Sequence, residues 1–413
     1  MRTPRPRDIT HRYQTAARAW LTAAGLAWAL PPAARDGAWL PLHLALAGAA
    51  TVAISGAMQN FAVSLAAAPS PPAAVVWSQL ALVNLGAALI AIGWPAGIPA
   101  LMAAGGTAFV AAILLLGGIV VMAERRSLHR RHRLPIRMYQ AAAACVIAGG
   151  TIGALLGSGA VRPGRTYDDL VGAHMALNVL GFVGLTICGT LVTLLPTMLR
   201  VRIPAWPGRA STALLGCGVA AVAVGLAAGA APLAAAGGAA YAAGALGVAV
   251  LVVRVLRAHR RWRPPISAAH VVAGVAWFVA GAVALAAVLP GGDATFQGFL
   301  PVFLVVFPAG FVVQTLLGAW LYLLPMARPA HPNERRAMLK ATEVGAALQV
   351  AVGNVGLALM ALRAAGLVPF AAGALGAALA LAAGAAALAK AWAYPLLARL
   401  GVAADRSGDV WGG

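Results

Sequence analysis

Charge is what this chain has least of. Only 10% of its 413 residues are charged, and just ten of them are Asp or Glu. A surface so poor in charge does not keep a chain of this size in water when 62% of its residues are hydrophobic. Cysteine is scarce as well: Cys145, Cys188 and Cys217 show no paired spacing and no CxxC, so neither a disulfide framework nor a zinc site follows. Long polar stretches are also missing. The longest loop has about a dozen residues, too few for a soluble domain, so any chemistry takes place within the membrane or on a partner.

What is present is apolar sequence in long runs. Read for length and hydropathy, the runs give twelve spans at about 14–34, 38–66, 73–94, 98–123, 137–160, 170–199, 211–232, 234–256, 266–289, 297–326, 339–363 and 367–390. The expectation is an all-α, polytopic membrane protein in which residues 1–413 form one integral membrane domain. Arg18 and the Pro31-Pro32 pair leave the first span a core short enough to pass for the apolar part of a signal peptide. Charge argues for keeping it. With the N-terminus in the cytoplasm, the even-numbered loops, both tails and the span ends beside them hold all of the 30 Lys and Arg residues except Arg35, Arg162, Arg165 and Arg363. Both termini are therefore expected to be cytoplasmic, with the protein in the plasma membrane.

The net charge of +20 does not point to nucleic acid, because the arginines sit in loops between spans and form no basic domain. The dense loops Glu124 to Arg137, Arg200 to Arg209 and Arg254 to Arg263 read as topology signals attracted to anionic membrane lipid. His129, His132, His259 and His331, in or beside such loops, read as solvated.

Ionisable groups inside hydrocarbon each call for a reason. Span six carries a polar stripe: at 100° per residue His174, Asn178, Gly181, Leu185, Cys188 and Pro196 share a face, which is expected to look inward. His43 lies about five residues into span two, as His174 does in span six, and both spans start from the outer side. Two imidazoles at one depth suit a metal or haem site, and they equally suit hydrogen bonding between helices. His270 enters span nine from the other side and reads as an inner-interface residue. Glu343 is the only carboxylate in a predicted span, either on a proton or cation path or hydrated at the interface beside Lys340. Gln79, Asn84, Gln349 and Asn354 read as hydrogen-bond links between helices.

Weak repeats run through the chain. Gly189 to Pro196 (GTLVTLLP) answers Gly318 to Pro325 (GAWLYLLP), and Gln79 to Leu89 matches Gln349 to Leu359 at six of eleven positions, including the Gln, Asn and Gly. Both pairs fit a period of four helices.

Taken with the twelve spans, these features resemble subunit I of the haem-copper oxidases and the related NnrS proteins. The run Ala173 to Arg200 is similar to one in the N-terminal membrane domain of certain actinobacterial copper oxidases and nitrite reductase fusions. The resemblance extends over essentially the whole chain, supported by the His43 helix, the Asn-x-Gly helices and the FVVQTLLGAWLYLLP run of span ten. It implies a pseudo-threefold arrangement of four-helix repeats and a cofactor site at His43 and His174, with Asn178 orienting a ligand. Haem b is the occupant it favours and copper the lesser alternative. It also implies electron relay to, or anchoring of, a copper oxidase or nitrite reductase partner on the outer face, supplied as a separate chain.

The departures limit what carries over. Span ten has Phe303 and Phe307 where the oxidases place haem histidines, and span seven has no histidine for copper. The chain is therefore not expected to be a complete enzyme. The outer arginines Arg162 and Arg165 either pair with haem propionates or simply turn the loop before His174. A transporter or channel of unknown cargo is the alternative class, although such folds break their helices near mid-membrane and the prolines here fall at span ends. Charge also yields the first prediction. In a variant without Cys145, Cys188 and Cys217, an impermeant thiol reagent added outside labels Asp293→Cys and spares His129→Cys; the reverse pattern overturns the orientation.

Overall fold

The computed structural model describes residues 3–127, 133–202, 208–259, 264–328 and 331–399, and every regular element among them is a helix. His129 and His132 lie outside the described residues. The helices are α1 (Pro6–Ala27), α2 (Trp39–Ala66), α3 (Ala73–Gly93), α4 (Pro99–Arg125), α5 (Arg133–Gly157), α6 (Arg165–Met198) and α7 (Gly208–Ala227). They continue as α8 (Ala231–Ala258), α9 (Ile266–Val288), α10 (Ala294–Ala327), α11 (Pro332–Glu343), α12 (Ala346–Ala364) and α13 (Phe370–Arg399). Among the described residues, eleven helical stretches are long and apolar enough to cross a membrane, which makes this a multi-pass membrane protein.

The two remaining helices depart from the expected spans. α1 is long enough to cross but polar, because it starts at Pro6 and ends at Ala27, leaving Pro31 and Pro32 in the following loop. Its polar groups point into the protein. Gln14 donates to Ala53 O at 3.1 Å and accepts from Trp320 Nε1 at 2.6 Å, while Arg18 donates to Ala391 O at 2.7 Å and lies over the Trp392 ring. Hydropathy scores α1 as though those side chains met lipid. The second departure is α11, a short amphipathic helix. The expected span at 339–363 begins only at Ala346, after a break at Val344 and Gly345, where Gly345 takes a positive φ of 66°. Glu343 therefore ends a surface helix and is not inside a span.

Three helices form the interior. In their most apolar windows α6 is 83% buried, α2 61% and α10 56%, against 17–44% for the other spans. Parts of α2, α6 and α10 touch one another, and the remaining helices surround them, turning residues such as Leu85, Leu114, Leu246 and Leu348 outward as the lipid-facing surface. Each inner helix also contains a widened π-helical stretch: Leu44–Ala50 in α2, Ala176–Gly184 in α6 and Val305–Val313 in α10. A π segment places an extra residue in the turn, so a face extrapolated at 100° per residue drifts out of phase below it.

Glycine sets how closely the helices approach. A Cβ added to Gly48, Gly181 or Gly310, one in each π segment, would come within 2.6–2.8 Å of Trp20, Cys145 or Trp277 on the preceding helix. Eight residues further on, Gly56, Gly189 and Gly318 meet Tyr13, Met138 and His270 in the same order. Outside this inner set, Gly86, Gly218 and Gly356 lie against the backbone of the following helix, their added Cβ reaching Phe109 N, Tyr241 N and Ala380 N at 2.6–2.7 Å. Small residues at such crossings replace the hydrophobic drive that lipid does not supply. Gly218→Val pushes α8 off α7 and is expected to cost about 1–3 kcal/mol, read as a lowered Tm in detergent. Gly118→Ala, where an added Cβ meets nothing within 4 Å, leaves Tm unchanged or slightly raised.

Candidate functional site

His43 and His174 come together near the arginine-poor side of the bundle, close enough for the charge of one to act on the other. They arrive by different registers. Counted from the equivalent glycines of the π segments, His43 precedes Gly48 by five residues and His174 precedes Gly181 by seven.

Each ring is fixed through Nδ1. His43 Nδ1 donates to Trp39 O at 2.8 Å one turn earlier in α2, and the two rings stack with centroids 3.8 Å apart at 19°. Trp94 stacks on the far face of this pair, 5.2 Å from Trp39, and donates from Nε1 to Asp36 Oδ2 at 2.8 Å. His174 Nδ1 donates to Gly149 O on α5 at 2.8 Å. A carbonyl oxygen only accepts, so both imidazoles carry their proton on Nδ1 when neutral. That leaves Nε2 of each with a free lone pair, and neither Nε2 has a hydrogen-bond partner among the described residues. A carbonyl behind Nδ1 also fixes ring orientation and raises the basicity of Nε2, the arrangement seen behind metal-bound histidines.

Asn178 sits one turn below His174, as the stripe implied. Its amide donates to His174 O at 2.7 Å and lies 3.2 Å from Nδ1, so it braces the helix carrying the ring. The stripe looks into the protein, and its upper part packs on α5: an added Cβ on Gly153 would lie 2.6 Å from the His174 ring, one on Gly149 2.5 Å from Asn178, and one on Gly181 2.6 Å from Cys145. Below Gly184 the stripe has no single direction, because α6 is buried on nearly every side. The glycines that make room for the site are thus Gly149 and Gly153 of the GGTIG run. Their four-residue spacing was the signal available in the sequence.

Several other polar and aromatic residues named above have defined surroundings. Arg165 forms an ion pair of 3.9 Å with Asp169 in the first turn of α6. Phe303 and Phe307 pack with tilted rings, centroids 4.7 Å apart, within an aromatic cluster that includes Phe278, Phe311 and Tyr241, so this part of α10 is filled with rings. Asn84 and Asn354 accept from Trp20 Nε1 and Trp277 Nε1 at 2.7 and 2.8 Å, and Gln79 accepts from Tyr13 at 2.7 Å; the expected links between helices are present. His259 is not simply solvated, since its Nδ1 lies 3.2 Å from Leu199 O, whereas His331 caps the exposed start of α11.

A second polar group lies on the arginine-rich side. His270 is buried and its Nε2 lies 3.3 Å from Gln349 Nε2, so α9 and α12 meet there. Beside it both Glu343 carboxylate oxygens accept from Ile266 N at 2.9 and 3.0 Å, capping the start of α9, with Lys390 nearby. Compared with known sequences, the chain matches no protein-family model and no curated protein.

Burial lifts the Glu343 pKa from 4.5 to about 7, against the opposing pull of the Ile266 N–H and Lys390. Between those two pH values the folded protein keeps a proton that the unfolded chain has lost. The contribution of this group is full below the unfolded pKa and falls as pH rises towards 7. Glu343→Gln keeps an acceptor for Ile266 N and cannot titrate. Its Tm is expected to fall less than that of the unsubstituted protein between roughly pH 5 and pH 7.5, and parallel curves contradict this.

Proposed function

We propose that this chain is a membrane-embedded haem-binding subunit of the haem-copper-oxidase subunit I type. In this reading four-helix units are repeated three times, the arginine-rich side faces the cytoplasm, and the protein relays electrons to a copper enzyme on the outer face. The observation that carries it is the pair His43 and His174, both held through Nδ1 on backbone carbonyls with their Nε2 lone pairs free. Supporting the repeat are the glycine contacts recurring from helix to helix and the three π segments of the inner helices.

The donor set suits a porphyrin iron better than a lone metal ion. Among the described residues no three His, Cys, Asp or Glu side chains converge to cage an ion, whereas a porphyrin iron would need only His43 and His174 from the protein. Haem b bound there would supply a one-electron carrier. The chain's own contribution is positional and electrostatic. Trp39 holds the His43 plane by stacking, Gly149 O holds the His174 tautomer, Asn178 ties down the turn between them, and Gly153 leaves the ring its space. The resemblance would call for haem histidines in the span that here carries Phe303 and Phe307 and for a copper-binding histidine in the span after α6, which has none, so the proposal includes no oxygen reduction by this chain.

The test is optical. Protein purified after expression with haem available is expected to show a Soret band that sharpens and shifts on adding dithionite. His43→Ala and His174→Ala each abolish or displace the band, and His270→Ala leaves it in place. A colourless, folded protein, or a band untouched by both site substitutions, overturns the proposal.

A further inference from the structure

Far from the two histidines, a cavity of about 350 Å³ opens on the arginine-rich side. Four elements build it: the start of α1 (Pro6, Arg7, Thr10), the end of α2 (Asn60), the end of α10 with the residue after it (Met326, Ala327, Arg328), and α11 (Arg335). Three arginines from segments far apart in the chain thus line it, and no carboxylate among the described residues does. Arg7 and Arg328 form no ion pair among the described residues. The nearest acid on α11, Glu334, accepts from His331 N at the helix start. The floor is polar: Thr10 donates to Pro6 O at 3.1 Å and accepts from Asn60 Nδ2 at 3.3 Å, which leaves the second Asn60 amide proton to donate.

The chemistry that answers three arginines and an amide is a phosphate group. We propose that this cavity binds a phosphate-bearing anion, held by Arg7, Arg328 and Arg335 with Asn60 beneath them. Topology alone asks only that arginines lie on one side of the membrane; it does not require three of them to line one concave site. Two sources share this chemistry. One is the headgroup of an anionic phospholipid, which reaches the cavity from the adjoining leaflet past the exposed Met326 side chain; the other is a phosphate free in solution.

The experiment follows Tm of the full-length protein in neutral detergent while titrating, separately, short-chain phosphatidylglycerol, short-chain phosphatidylcholine and inorganic phosphate. The proteins compared are the unsubstituted chain, Arg7→Gln/Arg328→Gln, the triple variant that adds Arg335→Gln, and a control, Arg209→Gln/Arg257→Gln, that removes equal charge elsewhere on the same side. Expected is a saturable rise in Tm, with half-saturation weakened at least tenfold in the double variant and unchanged in the control. The double variant keeps the test valid if the triple one does not fold. A rise with phosphatidylglycerol alone identifies the lipid headgroup, and a rise with inorganic phosphate as well identifies the free anion. No saturable rise, or a rise equally weakened in the control, overturns the proposal and leaves only diffuse attraction between basic loops and lipid.

Discussion

Hydrocarbon cannot complete a hydrogen bond, so every polar group carried into this bundle must find its partner on a neighbouring helix, and glycine decides how near that neighbour lies. Where Gly48, Gly181 and Gly310 admit Trp20, Cys145 and Trp277, backbones approach to a distance that no side chain would allow. The polar links follow from this closeness. Trp20 reaches Asn84 and Trp277 reaches Asn354 because the helices between them are already drawn in. His174 reaches Gly149 O for the same reason, since Gly149 and Gly153 bring α5 against α6. The candidate site is thus one instance of a packing rule that operates throughout the molecule.

Length and hydropathy carried most of the fold in the sequence. Runs of some 20 apolar residues have few structural solutions, and the observed helices α2 to α10 begin and end within several residues of the expected spans. The two misplacements have one cause. Hydropathy assumes that a helix faces lipid, yet α1 turns Gln14 and Arg18 towards protein and α11 lies at the surface. That His43 and His174 lie towards one end of their helices was legible because depth follows from residue count. The direction of the stripe below them was not, since a π turn changes the angular step and leaves no mark in composition. The Arg7, Arg328 and Arg335 cavity was invisible for a simpler reason: three residues from distant segments become neighbours only when the chain is folded.

The π segments also account for a division of labour along each inner helix. Their wider turns lie in α2 and α6 beside the histidines, and in α10 beside the aromatic cluster, while the lower halves of the same helices run as regular α-helix through the GTLVTLLP and GAWLYLLP stretches. In these three helices the irregular backbone is confined to the half that carries His43, His174 and the aromatic cluster. The regular half is given over to packing, with Trp320, Leu195 and Met198 almost wholly enclosed.

The partners of α1 are spread unevenly along the chain, and this sets a timetable for assembly. Tyr13 finds Gln79 only 66 residues later, but Gln14 waits for Trp320 across 306 residues and Arg18 for Ala391 across 373. At synthesis rates of about 5–20 residues per second, the last of these contacts becomes available roughly 20–75 s after α1 leaves the ribosome. During that interval the first helix holds a guanidinium and an amide without their final partners. It must stay at the membrane surface or be sheltered by the insertion machinery, so α1, made before the other twelve helices described, is among the last of them to be secured.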